Sequence, residues 1–552
     1  MNIRTLTLPL LLAFSTPVMA DAPAAPPKLL VAIAVDQFSA DLFAQYRAHF
    51  TGGLARLLQG AVFPSAYQSH AATETCPGHS TILTGVHPAR SGIVANNWYD
   101  PGISRADKRI YCAEDEGDPA STSRDPVVSA HHLLVPTLGE RMKAQWPESR
   151  NVAVSGKDRA VMMMGGNHID AAYWWKGQGF VTLKEREIGP YVLSINTAIA
   201  AKLASQVNPT ETAEPSAEFT IPAWCEQHDR AVTAGTVKLG QGHFPLEAGK
   251  EYEQFRVSPR LDTVTLALAS GLAAQMKLGQ GAEPDMLSVS LSATDYIGHA
   301  FGTQGLEMCV QMAELDDSLN TFFGKLDASG IDYAVVLTAD HGGLDTPERL
   351  DQQALPSASR VDPALTPAAL DKSLAAQLAI ITDGPMIYGD GPFGDLYLSH
   401  SLNPEQTAKV SDALVALLKA HPQVAAVFTA ADLAKAPMPK GNPQDWTLLD
   451  RARASFVAGR SGDVVMLLNR AVVPIPVPAP GYTATHGSAW DYDRRVPLLF
   501  WRKGMVGFEQ PAPVETVDIA PSLAALIGLK VPEGEFDGRC LDVDGGPGDS
   551  CK

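Results

Sequence analysis

Residues 332–343 read DYAVVLTADHGG, and the interpretation of this stretch decides the fold. An apolar, β-branched run ends abruptly in Asp340 and His341, followed by two glycines, the pattern of a buried strand that delivers polar side chains at its end. Three other stretches repeat it: KLLVAIAVDQ (28–37) stops at Asp36, RNVAVSGKDR (150–159) at Lys157 and DMLSVSLSATD (285–295) at Asp295. Helical patterns lie between them, as in TVTLALASGLAAQMKL (263–278) and CVQMAELDDSLNTFFGKL (309–326). The alternation predicts an α/β fold with a mostly parallel central sheet flanked by helices. Ligands of such sheets sit beyond the carboxyl ends of the strands, where all four polar residues fall. One Asp after a strand also serves as a cap for the next helix; four together point to a shared site.

The remainder of the chain sets limits on that site. Its 552 residues, 45% of them hydrophobic, bury a large core, and length alone corresponds to about three or four domain-sized units. The segments of about 165–255 and 345–480 are rich in Gly, Pro and Trp and lack a βα rhythm, so they read as cap insertions in a single catalytic domain spanning 28–552. RRVPLLFWRKGM (494–505) and ETVDIAPSLAALIGL (515–529) return to a strand and a helix of core type. With 43 basic against 61 acidic residues the net charge is −18, which opposes attraction to nucleic acids or anionic membranes. At the N-terminus, Arg4, the short apolar run Leu6–Phe14 and Val18-Met19-Ala20 form the pattern of a signal peptide over residues 1–20, followed by a flexible leader over 21–27. No later stretch reaches the roughly 20 apolar residues of a membrane span. The expected product is an exported protein, periplasmic or extracellular, whose six cysteines form disulfides. Cys540 and Cys551 would close a short Gly-rich loop.

The ligand spacings point to metal. TDYIGHAFG (294–302) sets Asp295 and His299 four residues apart, so on a helix that starts after the strand they share a face and grip one ion. Asp340 and His341 stand side by side, and Gly342 and Gly343 allow a turn that lets both converge. GYTATHGSAWD (481–491) supplies His486. Carboxylate and imidazole donors that leave a position open suit catalytic zinc rather than a closed, cysteine-rich structural site. Asp36, Asp295, His299, Asp340, His341 and His486 are enough for two ions.

Two ions need a reacting oxygen between them. HAATETCPGHSTILTG (70–85) holds four threonines, one serine, one cysteine and two histidines. Gly78-His79-Ser80 continues into Thr81 and Ile82, so a Gly-x-Ser-x-Gly elbow is absent. Cys76 is followed directly by Pro77, with no arginine at the spacing of a formylglycine site, and reads as a disulfide partner. These residues by themselves leave the nucleophile open.

TETCPGHSTILTG (73–85), NNW (96–98), GKDR (156–159), DYIGH (295–299), ADHGG (339–343) and THG (485–487), with the strand-ending Asp36, occur in an order that spans nearly the whole chain. The set resembles the secreted PhoK/PafA-type alkaline phosphatases, in the nucleotide pyrophosphatase/phosphodiesterase branch of the alkaline phosphatase superfamily. The resemblance implies an alkaline-phosphatase-like fold and a phosphatase acting on small-molecule phosphate esters through a phosphothreonine at Thr75. It implies two Zn²⁺ per chain, one held by Asp36, Thr75, Asp340 and His341 and the other by Asp295, His299 and His486. It assigns Asn96, Lys157 and Arg159 to phosphate oxygens. A phosphodiesterase or nucleotide pyrophosphatase is the alternative activity, and an exported metal- or solute-binding protein the alternative without catalysis.

Other polar or aromatic clusters have plainer readings. His79 is expected behind the ligands, His131, His132 and His168 at the surface or in structural hydrogen bonds, and Tyr173-Trp174-Trp175 in cap packing. Asp542, Asp544 and Asp549 read as a solvated acidic tail, with Ca²⁺ at a separate structural site as the alternative.

Overall fold

The computed structural model describes residues 25–207 and 219–552. The expected signal peptide 1–20 and the first part of the leader lie outside the described residues.

The apolar runs form strands β1 (Leu29–Val35), β2 (Ala61–Tyr67), β3 (Asn151–Ser155), β4 (Ala171–Lys176), β5 (Gly179–Val181), β6 (Asp285–Leu291) and β7 (Tyr333–Thr338). Every residue of β1, β3, β6 and β7 is buried, the condition of parallel strands covered on both faces. β7, β1, β6, β3 and β4 lie side by side and parallel in that order. Their ends are in step: Ala34 sits beside Thr338, Val35 beside Leu291 and Ser155 beside Ser290. That register brings the residues after each strand to one edge of the sheet.

Between β7 and the last core strands, β8 (Ile387–Tyr388), β9 (Gly394–Leu398), β10 (Val424–Thr429) and β11 (Val464–Leu468) form a second, antiparallel sheet in the order β8-β9-β11-β10, with an apolar core of its own that includes Leu370, Leu396, Val410 and Leu414. The central sheet is completed by β12 (Arg495–Arg502), β13 (Phe508–Glu509) and β14 (Val514–Glu515). β12 runs antiparallel between β7 and β2, and β5 closes the other edge antiparallel to β4. The segment at 165–255 therefore supplies β4 and β5 to the central sheet, while 345–480 builds the second sheet. Tyr173, Trp174 and Trp175 lie on β4; Tyr173 and Trp175 pack into the main core and Trp174 into a second apolar cluster with Cys76, Trp98 and Met162, rather than into a separate cap.

Helices α1 (Thr75–Thr84), α2 (Asp158–Gly165), α3 (Arg260–Gln275), α4 (Ala293–Phe301) and α5 (Leu306–Ala328) cover the sheet. On α5 the buried Leu315, Leu319, Phe322, Phe323 and Leu326 recur at three and four residues, one apolar stripe facing the core. Disulfides join Cys76 to Cys112, Cys225 to Cys309 and Cys540 to Cys551. Among the described residues no helix is long and apolar enough to cross a membrane.

The first turn of α1 meets the end of β7 at Gly78, where a Cβ would lie 2.0 Å from the Asp340 carbonyl oxygen. Gly78→Ala must therefore push one backbone segment away from the other, and overpacking of this kind costs on the order of 1–3 kcal/mol. Urea unfolding should show a lower midpoint for Gly78→Ala; an unchanged midpoint would contradict this close approach.

Candidate active site

Asp36 follows β1 directly, Asp340 follows β7 after one alanine, and Asp295 lies in the first turn of α4. All three carboxylates are buried, at 0 to 1% exposure, at the shared edge of the sheet. The residue after Asp36 makes this arrangement possible. Gln37 has a φ of 64°, a left-handed conformation that costs a residue with a Cβ about 1–2 kcal/mol. In that turn its backbone N–H donates to Asp340 Oδ1 at 3.1 Å and its side-chain amide donates to Asp295 Oδ1 at 3.1 Å. Gly298 on α4 leaves the space, since a Cβ there would lie 1.6 Å from Gln37 Oε1. Sequence reading missed Gln37, because a glutamine carries no ligand signature; its position directly after Asp36 was the one available hint.

Three histidines face the carboxylates in one tautomeric arrangement. His299 Nδ1 is 2.9 Å from the Ala484 carbonyl, His341 Nδ1 2.8 Å from that of Gly342, and His486 Nδ1 2.8 Å from that of Thr73. A carbonyl only accepts, so each Nδ1 carries a proton, and in the neutral ring the lone pair is left on Nε2, the atom turned toward the carboxylates. His341 Nε2 stands 3.3 Å from Asp340 Oδ2 and 3.5 Å from Asp36 Oδ1. Asp295 Oδ1 lies 3.3 Å from His299 Nε2, one helical turn away, and 3.4 Å from His486 Nε2. The tightest three-donor groups here are Asp36–Asp340–His341 and Asp295–His341–His486, so His341 stands between the two clusters, its ring stacked 3.5 Å from that of His486.

Asp36 Oδ2 meets the Lys157 ammonium and Asp340 Oδ2 the His79 imidazole, while Asp36 Oδ1 and His341 Nε2 are buried without a hydrogen bond. Atoms of this kind are costly unless something binds them, and a carboxylate–imidazole set of this geometry fits divalent metal. Burial and the neighbouring Asp340 push the Asp36 carboxyl well above its ordinary value. For Asp340 burial acts the same way, but His341 and His79 outweigh it and hold the group below the usual range. Burial keeps His341 and His486 neutral by lowering their pKa, the protonation state that binds metal.

Thr75 is the first residue of α1 and is fully buried. Its Oγ1 lies 3.4 Å from Arg159 Nη2, and the Cys76 N–H donates to Asn96 Oδ1 at 2.8 Å. Lys157, just ahead of α2, sets its ammonium 2.5 Å from both Asp36 Oδ2 and Asp295 Oδ2. Burial opposes its charge, yet these two carboxylates prevail and raise its pKa. A cavity of about 400 Å³ opens over this group, lined by Asn96, Arg159, His299 and His486 from the body and by Asp390 and Phe393 from the loop between β8 and β9. Lys157 lies beneath it, engaged with carboxylates. A larger cavity of about 930 Å³, beside Tyr333 and Trp501 at the amino end of β7, contains no member of the group.

His79 stands directly behind the ligands, with Nδ1 2.9 Å from the Thr75 carbonyl and 3.1 Å from Asp340 Oδ2 and Nε2 2.9 Å from Ser290 Oγ. The other plainer clusters separate from the site. His168 is exposed. Asp542 Oδ1 accepts from the Ser550 backbone and hydroxyl, Asp544 Oδ1 from the N–H groups of Val506 and Gly546, and Asp549 pairs with Lys552. Among the described residues, none of these three aspartates belongs to a three-donor metal group.

Residues 30–489 match the family described as Type I phosphodiesterase / nucleotide pyrophosphatase. The chain is 54% identical to alkaline phosphatase PhoK of Sphingomonas sp. over 96% of this chain and 93% of that protein. It is 48% identical to alkaline phosphatase PhoD of Zymomonas mobilis over 94% of this chain and 88% of that one. The crystal structure of wild-type alkaline phosphatase PafA superimposes with a TM-score of 0.80 at 24% identity, covering 95% of this chain and all of that one, which shows a common fold.

Glu74, next to Thr75 and also absent from the sequence reading, lines the cavity. Burial pushes its carboxyl from 4.5 up to about 7, against the opposing Asn96 N–H that it accepts at 2.8 Å. A folded-state value above the unfolded one means that the protonated form favours folding. That contribution is full below pH 4.5 and is lost as pH rises through about 7. Glu74→Gln keeps an acceptor without the charge, so it should gain on the order of 2–3 kcal/mol over the parent at pH 8 and little at pH 5. Urea unfolding at both pH values measures this; equal differences at the two would show that Glu74 does not titrate in that range.

Proposed function

Because the chain belongs to the Type I phosphodiesterase / nucleotide pyrophosphatase family of the alkaline phosphatase superfamily, we propose that it is a zinc-dependent alkaline phosphatase that hydrolyses phosphate monoesters through a phosphothreonine at Thr75. The observation that carries this reading is the convergence of buried carboxylate and imidazole atoms of Asp36, Asp340 and His341, Asp36 Oδ1 and His341 Nε2 among them without a hydrogen bond, with Asp295, His299 and His486 alongside and the buried Thr75 at the start of α1. Asp36, Asp340 and His341 would hold one ion with Thr75, and Asp295, His299 and His486 the other. Zinc bound there supplies a lowered pKa for the attacking hydroxyl and a counter-charge for the departing oxygen.

The chain's own residues do the remaining work. Thr75 Oγ1 attacks phosphorus as the ester oxygen leaves, and water then cleaves the phosphothreonine, releasing phosphate and restoring the hydroxyl. Thr75 opens α1, so the positive end of the helix dipole favours a phosphate there. The Arg159 guanidinium, 3.4 Å from that hydroxyl, offers a fork for two phosphate oxygens. With Asp36 and Asp295 committed to metal, the Lys157 ammonium becomes available to a third oxygen, and Asn96 lines the same cavity. In this reading residues 28–552 are one catalytic domain, with 345–480 as a cap over the cavity. Three disulfides agree with an oxidising compartment and thus with export directed by residues 1–20.

The direct test is turnover of p-nitrophenyl phosphate on a sample of measured zinc content. Thr75→Ala should lose fast turnover while retaining its zinc, whereas Thr75→Ser should keep substantial activity. A near-normal rate for Thr75→Ala removes this residue as the nucleophile. No turnover by the zinc-loaded parent would favour a metal- or solute-binding protein.

The family description also names phosphodiesterases, and Lys157 with Arg159 is the pair that separates the two activities. A monoester carries an additional charged oxygen that a diester has esterified. Replacing both residues with Ala should lower monoester kcat/KM on the order of 10²-fold or more, with a smaller loss on bis-p-nitrophenyl phosphate. Equal losses on both substrates would shift the assignment toward a phosphodiesterase.

A further inference from the structure

Away from the Asp295 and Asp340 constellation, Glu116, His131 and His132 converge on a second point. His131 Nε2 lies 3.0 Å and His132 Nε2 3.1 Å from the same atom, Glu116 Oε2. Donor atoms around a tetrahedral zinc, with bonds of ~2.0–2.2 Å, stand roughly 3.3 Å apart, so this is the spacing of ligands around a single ion. Glu116 Oε2 and His132 Nε2 are both buried, so what holds the two imidazoles on one carboxylate oxygen is either protons on both Nε2 atoms, as in a His–Glu ion pair, or a single cation shared by all three. His132 as a whole is 4% exposed. Two imidazoles and one carboxylate converging on one point make a three-donor cradle of the size of a divalent ion.

The cradle is built into the fold. The His132 ring meets the Trp98 ring edge-on at 4.7 Å, and the His132 carbonyl accepts from Arg460 Nη1 at 2.7 Å. The same guanidinium lies over Trp98 and donates to the Gly92 carbonyl at 2.7 Å. The His131 side chain remains 40% exposed, which gives an ion a route from solvent.

We propose that Glu116, His131 and His132 form a further metal site, for zinc or a similar borderline divalent ion, with a fourth position left to water. It lies apart from the reacting groups and acts on stability. An ion there fastens the chain around Glu116 to the His131–His132 turn that Arg460 grips. The Arg460 carbonyl in turn accepts the hydroxyl of Tyr397, a residue of the cavity wall, at 3.0 Å.

The test uses the full chain, equilibrated against buffered zinc chloride, with bound zinc counted by mass spectrometry. His131→Ala, at a half-exposed position, and Glu116→Gln should each hold one zinc ion fewer per chain than the parent, whatever number the catalytic site takes. Their kcat/KM on p-nitrophenyl phosphate should stay within about twofold of the parent. Raising free zinc above saturation of the catalytic site should increase the thermal midpoint of the parent but not of the variants. Equal zinc counts in parent and variants would overturn the proposal, as would a variant that lost its catalytic activity together with that one ion.

Discussion

The carboxylates of Asp36, Asp295 and Asp340 face one another where water is excluded, and much of the molecule is arranged around their repulsion. Two like charges 4 Å apart cost about 4 kcal/mol even at an effective dielectric constant near 20. The Lys157 ammonium, shared by Asp36 and Asp295, offsets part of this, and the N–H groups of Gln37 and His341 stabilise Asp340. No protein group satisfies both oxygens of Asp36 by hydrogen bonding. A site with this surplus of buried negative charge is matched to divalent cations, and the imidazoles of His341 and His486, held neutral by burial, add donors without adding repulsion.

Several elements hold that charge in place by backbone rather than by side chain. The Nδ1 atoms of His299, His341 and His486 are all committed to main-chain carbonyls, so ring orientation and tautomer are set by the fold itself. Gln37 bends back in a left-handed turn to link the loops after β1 and β7 with α4. Thr75, by contrast, is positioned by its place at the start of α1, whose close approach to Asp340 depends on Gly78.

The second sheet and the body meet over this centre. Asp390 and Phe393 reach the cavity from the loop between β8 and β9, opposite Arg159 and His486. Arg460 anchors the insertion to the body through carbonyls of Gly92 and His132. Chemistry therefore belongs to the end of the parallel sheet, while the shape of the space above it is decided by an insertion with its own core.

Sequence alone determined the α/β class, the parallel centre and the edge at which polar residues gather, because apolar runs that alternate with helical segments are joined by crossovers into parallel strands whose ends fall on one side. It also determined that Asp295 and His299 share a helical face, since that follows from a period of 3.6 residues. The antiparallel strands β5 and β12 at the flanks were not legible, because an apolar strand carries no mark of its direction. Nor was the membership of Tyr173-Trp174-Trp175 in the central sheet, where aromatic bulk serves a core as well as a cap. Gln37 and Glu74 became visible only in three dimensions, through a backbone turn and through burial beside Asn96. The same is true of Glu116 with His131 and His132, separated by fifteen residues and more and brought together by the loop that joins them. Tertiary structure decided these because each depends on distance between chain segments, which a pattern of residue types along one segment does not contain.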